Sequence, residues 1–92
     1  MPGDGVPRRR LSQGMSDFPS MKARRLLAVL QRDPLGYVVA RRTAGSHRVL
    51  TAPGRPRIVF SFHDRQTLPG GMVRKVLVKD VGLAEDQALD LL

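Results

Sequence analysis

The sequence predicts a small α+β domain, a two-layer sandwich in which two helices cover one face of a three-stranded antiparallel sheet. Three observations carry this prediction. Apolar side chains recur at helical spacing towards both ends of the chain, runs rich in β-branched and aromatic residues lie between them, and Pro or Gly separates the runs. With 92 residues and no cysteine, the chain has room for one small domain without disulfide bonds or cysteine-ligated zinc.

The first helix is expected to begin near Met21, with Ser20 as its N-cap. Residues 33–36 should end it, because the residue before a proline avoids helical dihedral angles and a glycine tolerates a left-handed turn. The side chains expected to face the core have helical spacing. They are Ala23, Leu26, Leu27 and Leu30.

The middle of the chain predicts three strands, at residues 37–42, 47–52 and 57–62, each followed by a turn or loop. Such short connections favour an antiparallel meander. After the loop 63–71, apolar residues at helical spacing predict a second helix that Gly82 stops, and residues 83–92 predict a short final helix.

Residues 1–20 are rich in Pro, Gly and Ser, and their large apolar side chains, Leu11 and Phe18, follow no helical or alternating period. We therefore expect a disordered tail at 1–20 and a folded domain at 21–92.

Positive charge is concentrated within that domain. Between residues 21 and 79, thirteen Lys or Arg residues stand against only Asp33 and Asp64, whereas the chain from Asp80 onward carries acids and no base. A compact basic body attracts polyanions through counterion release, and phosphate backbones are the commonest such partner. The chain has no apolar run of membrane-spanning length, no signal-peptide pattern and no basic helix with aromatic anchors. We expect a nucleic-acid partner, no membrane association and a cytoplasmic location.

The residues able to do chemistry gather around a histidine. The chain has two histidines, His47 and His63, and imidazole can act as both base and acid near neutral pH. Gly45 permits a ligand to approach the backbone closely, Ser46 offers a hydroxyl donor and Arg48 a guanidinium. Together with His47 these groups could contact one phosphodiester, although a histidine beside a turn is more often an ordinary surface residue.

No carboxylate cluster accompanies the histidines, and the two histidines with Asp64 are a poor set of zinc ligands. We therefore expect no metal and no cofactor. These histidines and arginines support metal-free transesterification of RNA. In that reaction a base takes the proton of a 2′-OH, and the oxygen then attacks the adjacent phosphorus while arginines stabilise the developing negative charge. DNA lacks the 2′-OH and should therefore not be cleaved.

A series of short motifs covers nearly all of residues 21–92. They are residues 21–27 (MKARRLL), Gly36-Tyr37, Gly45-Ser46-His47, the strand ending at His63, Leu68-Pro69-Gly70-Gly71, Arg74-Lys75-Val76-Leu77 and Val81-Gly82-Leu83. In order and spacing, this series resembles the HicA family of toxin–antitoxin mRNA interferases.

This resemblance implies a double-stranded-RNA-binding-like fold, an endoribonuclease that cleaves mRNA and blocks translation, and neutralisation by an acidic HicB-type antitoxin. It implies that His47 is the catalytic residue. Arg48 and Phe62 depart from the family pattern, and His63 is left as either a general acid or an RNA contact.

Further RNA contacts are expected from basic side chains, and Tyr37 is the only aromatic residue expected to be available to stack a base. No specific DNA binding is expected from this chain alone. Two other functions remain open: a non-catalytic double-stranded-RNA-binding module of the same fold, and a ribosome-associated protein that binds rRNA or another protein. The basic side chains expected to contact RNA are Lys22, Arg24, Arg41, Arg42, Arg48 and Arg74, with Arg55 and Arg57 as weaker candidates.

Overall fold

Helices and a β-meander form two layers in the computed structural model, which describes residues 17–43 and 47–92. In chain order the elements are β1 (Met21–Lys22), α1 (Ala23–Gln31), β2 (Val38–Arg42), β3 (Arg48–Thr51), β4 (Ile58–Phe60), β5 (Thr67–Leu68), α2 (Gly70–Arg74) and α3 (Glu85–Asp90). After α2 the helix continues through Lys75–Asp80 as π-helical turns, with the Val81 N–H donating to the Val76 carbonyl at 3.0 Å. The predicted fold class and the order of its helices and meander strands are confirmed.

The sheet has one covered and one open face. Its strands lie in the order β2-β3-β4, all antiparallel, and the register pairs Leu50 with Val39 on one side and with Ile58 on the other. Leu50, Ile58 and Phe60 are buried, whereas Val38 and Val59, on the other face, are 58% and 59% exposed. The strand alternation expected for a two-layer sandwich is therefore present.

Side chains from both layers meet in a single core among the described residues. The helices contribute Leu26, Leu30, Val73 and Leu77, each with 0% exposure, and Phe60 lies opposite them at 1%. In α1 the core-facing stripe differs slightly from the prediction, because Val29 is buried and Leu27 only half-buried. No helix among residues 17–43 and 47–92 has the length and apolar character needed to cross a membrane.

The start of the first helix differs from the prediction. Met21–Lys22 form a two-residue strand antiparallel to Thr67–Leu68, so α1 begins at Ala23. Ser20 is not the N-cap, because Lys22 occupies that position without a side-chain cap. The loop before β5 does the capping instead.

Two backbone carbonyls of that loop satisfy amides of the first helical turn. The Ala23 N–H donates to the Gln66 carbonyl at 2.8 Å, and the Arg24 N–H donates to the Asp64 carbonyl at 3.1 Å. Since the first amides of a helix have no partner within the helix, these bonds take the place of a cap. They also fix residues 64–66 against the beginning of α1.

The strands are shorter than predicted, while the stop signal at Gly82 is confirmed. Tyr37 precedes β2, and β4 ends at Phe60, so His63 lies in the following loop rather than at a strand end. Gly82 has a φ value of 92° and directly follows the C-cap Val81, so it ends the second helix as expected. Gly36, with a φ value of 66°, lies in the turn after α1, which already ends at Gln31.

The position of Phe18 differs from the prediction that residues 1–20 form a disordered tail. Its side chain is 6% exposed and belongs to the core, so this part of residues 1–20 packs against the domain. Residues 1–16 lie outside the described residues. The backbone of Phe18 also approaches α2 closely: a Cβ added to Gly70 would lie 2.1 Å from the Phe18 carbonyl oxygen.

We expect Gly70→Ala to lower the free energy of unfolding by about 1–3 kcal/mol, because its methyl group would collide with backbone that cannot rotate away. Gly71→Ala is the matched control, since nothing lies within 4 Å of its added Cβ and alanine favours a helix. Urea denaturation of both variants measures the difference. Equal stabilities would contradict the close packing of Phe18 on α2.

Candidate functional site

The two histidines lie at the same end of the sheet. His47 directly precedes β3 and His63 follows β4 by three residues. Because Arg48 pairs with Phe60 in antiparallel register, the start of β3 lies beside the end of β4. Both histidines are exposed. We call this region, formed by residues 42–43, 47–48 and 63–66 with the beginning of α1, the histidine end.

The Thr43 N–H donates to the His47 carbonyl at 3.0 Å, which connects the end of β2 to the residue before β3. Gly45 and Ser46, the rest of the predicted phosphate-gripping motif, lie outside the described residues.

Arg41 and Arg42 are both exposed, but they lie on opposite faces of the sheet. Arg42 pairs with Arg48 and shares its face, whereas Arg41 pairs with Val49. Only Arg42 is at the histidine end and on the same face as Arg48. Arg41 belongs to the open face.

Arg48 is buried, which corrects the expectation that it contacts RNA. It is 8% exposed, and its Nη2 donates to Asp64 Oδ1 at 2.8 Å. Arg48 lies two residues before Leu50 and therefore on the covered face of the sheet. Its guanidinium neutralises the carboxylate of Asp64, a residue that sequence reasoning had weighed only as a metal ligand.

The beginning of α1 adds an exposed cationic surface next to the 63–66 loop. Lys22 Nζ donates to the Arg65 carbonyl at 3.2 Å, and Arg24 is exposed. Together with Arg25, which the sequence analysis did not single out, these side chains help to line an open cavity of about 430 Å³.

No acidic residue lies in the first turn of α1. Cations are unfavourable at a helix N-terminus, where the backbone dipole is positive, and a bound anion would relieve that repulsion. This end of the helix is therefore electrostatically suited to a polyanion.

Two predicted contact residues are engaged elsewhere. Arg74, in α2, donates from Nε to Glu85 Oε2 at 2.8 Å, an ion pair with the final helix. Arg55 Nη2 donates to the Pro34 carbonyl at 3.4 Å. Arg57 is exposed. Among the described residues, none of these side chains has a hydrogen bond or ion pair with the histidine end.

Tyr37 is not available for base stacking, contrary to the prediction. It is 1% exposed, and its hydroxyl donates to the Pro56 carbonyl at 2.7 Å. Burial raises the pKa of the Tyr37 phenol above its ordinary value, an effect that the positive charge of Arg55 partly offsets. Tyr37 is a core residue whose polar atom is satisfied.

Metal ligands do not cluster in the part of the chain that the structure describes: no group of three or more His, Asp or Glu side chains there could hold an ion.

Fold and site together describe a small basic α+β protein of the double-stranded-RNA-binding-like class, with two exposed imidazoles beside a cationic helix end. The family model described as the HicA toxin of bacterial toxin–antitoxin systems matches residues 23–83. Because the match covers more than half of the chain, the protein belongs to the HicA toxin family. No curated protein and no solved structure matches the chain. Members of this family are toxins that act on RNA and are paired with an antitoxin.

Proposed function

We propose that the protein is an mRNA interferase, a metal-independent endoribonuclease that blocks translation, with His47 as its general base. The observation that carries this proposal is the exposure of His47 at the histidine end, beside cationic side chains from two other elements. Among the described residues, Arg24 and Arg42 are exposed and have no side-chain hydrogen bond or ion pair, so both are free to bind phosphate.

In the proposed reaction the His47 imidazole accepts the proton of a ribose 2′-OH, and that oxygen forms a bond to the adjacent phosphorus. The bond from phosphorus to the 5′ oxygen of the next nucleotide breaks, and the leaving oxygen takes up a proton from His63 or from water. Arg24, Arg42 and Lys22 stabilise the negative charge that grows on the phosphoryl oxygens. The products carry a 2′,3′-cyclic phosphate and a 5′ hydroxyl.

The antitoxin that neutralises this activity is proposed to be of the HicB type and acidic. Lys22, Arg24 and Arg42 are exposed at the histidine end and have no carboxylate partner among the described residues, so an acidic protein that covers this region would exclude RNA and balance the charge at once. The same surface serves mRNA and antitoxin in this proposal, and the toxin acts in the cytoplasm, where mRNA is translated.

Cleavage of RNA in the presence of EDTA tests the proposed function. We expect the purified protein to cut a long single-stranded RNA with EDTA present and to leave 2′,3′-cyclic phosphate ends, because no step needs a metal. End-labelling and mass spectrometry of the fragments identify the termini. Intact RNA, or fragments with 3′-hydroxyl ends, would overturn the proposal, and RNA that is bound but uncut would favour a non-catalytic double-stranded-RNA-binding module.

A further inference from the structure

A partly buried ion pair joins the two chain segments that carry the histidines. Arg48 directly follows His47 and Asp64 directly follows His63. Arg48 Nη2 lies 2.8 Å from Asp64 Oδ1, with 10% of the arginine side chain and 53% of the aspartate side chain exposed. The pair is thus anchored on the buried side by β3 and reaches outward to the loop after β4.

Stability alone gives a poor reason for this ion pair. Removing a guanidinium from water is costly, and replacing a buried ion pair by apolar groups is often neutral or stabilising. In addition, Arg48 Nη1 is buried and has no hydrogen-bond partner among the described residues. An unsatisfied buried donor destabilises the fold.

The loop that carries His63 is braced by internal hydrogen bonds and tied to both α1 and β3. The Gln66 N–H donates to the His63 carbonyl at 2.9 Å, and the His63 N–H donates to Gln66 Oε1 at 3.3 Å. The Asp64 carbonyl accepts from the Arg24 N–H at 3.1 Å, which ties the loop to α1. The Gln66 carbonyl accepts from the Ala23 N–H and the Arg65 carbonyl from Lys22 Nζ, so these bonds also tie the loop to the beginning of α1. The hydrogen bond from Arg48 to Asp64 connects the loop to a different element, the strand that His47 precedes.

We propose that Arg48 and Asp64 are positioning residues that hold the His63 loop in register with His47, so that both histidines face one phosphodiester. This inference rests on the proposed ribonuclease function. This positioning role explains why a buried arginine, Arg48, lies next to His47. Its guanidinium holds the loop, and the loop holds His63 in place. Neither residue touches the reacting atoms.

The double variant Arg48→Met with Asp64→Asn tests this inference, because it removes the pair without changing the net charge. We expect kcat for RNA cleavage to fall about 10- to 100-fold, since a displacement of about 1 Å can cost that much in rate. KM should change less than about threefold because the cations that bind phosphate remain, and the urea midpoint should stay the same or rise. Asp64→Glu, which keeps the carboxylate, should retain more kcat than Asp64→Asn.

The matched control is Lys75→Gln with Asp80→Asn, which removes a charge-neutral pair on the π-helical segment with a separation of 3.4 Å. It should cleave RNA like the wild type. A folded Arg48→Met, Asp64→Asn variant with wild-type kcat would overturn the positioning role and leave the proposed function intact. If that double variant does not fold, kcat of the single variant Asp64→Asn is compared with the wild type instead, and a wild-type value would likewise overturn the positioning role. Wild-type protein that leaves RNA intact overturns the proposed function itself.

Discussion

Replacing His47 by alanine is expected to lower the rate of RNA cleavage by about 100- to 10,000-fold, the range that a positioned general acid or base contributes. The loss should appear in kcat, because alanine removes the group that accepts the 2′-OH proton and leaves the phosphate-binding cations in place. The purified variant and the wild type are compared on the same RNA under single-turnover conditions. Since His47 is exposed, the substitution should leave the unfolding free energy nearly unchanged.

Gln31→Ala provides the matched control for that comparison, because Gln31 is also exposed but lies at the last residue of α1, away from the histidine end. It should cleave at the wild-type rate. A His47→Ala protein that cleaves as fast as this control would show that another group removes the proton.

A single 2′-deoxy nucleotide on the 5′ side of a cleaved bond is expected to abolish cleavage at that bond. The attacking oxygen is then missing, and neither cationic binding nor proton transfer can replace it. The cut sites are mapped first on all-RNA substrate, and the substituted oligonucleotide is then compared with it at equal concentration. Other bonds in the same strand serve as the internal control, because their hydroxyl groups are present. Equal cutting at the substituted bond would rule out attack by the 2′-OH.

Most of the fold can be predicted from local patterns in the sequence. Helical spacing in α1 and β-branched runs in β2, β3 and β4 depend on near neighbours, and the left-handed Gly82 ends a helix for a local reason. The β1–β5 pair could not be predicted, because two residues carry no periodicity and their partner lies more than forty residues away. The burial of Phe18 likewise depends on its close approach to Gly70.

The candidate site could be predicted only in part. His47 is exposed and therefore accessible to RNA in the proposed reaction, and the alternation of side chains along β3 already places Arg48 on the same face as the buried Leu50. Its partner Asp64, sixteen residues later, is set by the pairing of β3 with β4. The burial of Tyr37 could not be predicted for a similar reason. An aromatic residue at the start of a strand can stack on a base or fill a core, and tertiary packing determines which of the two it does.

Growth of a bacterial host after induction tests the role of His47 most directly. The wild-type chain should arrest growth and shorten the lifetime of mRNA, whereas His47→Ala should accumulate to the same protein level without either effect. Arrest by the alanine variant to the same extent would contradict an imidazole-driven attack on RNA.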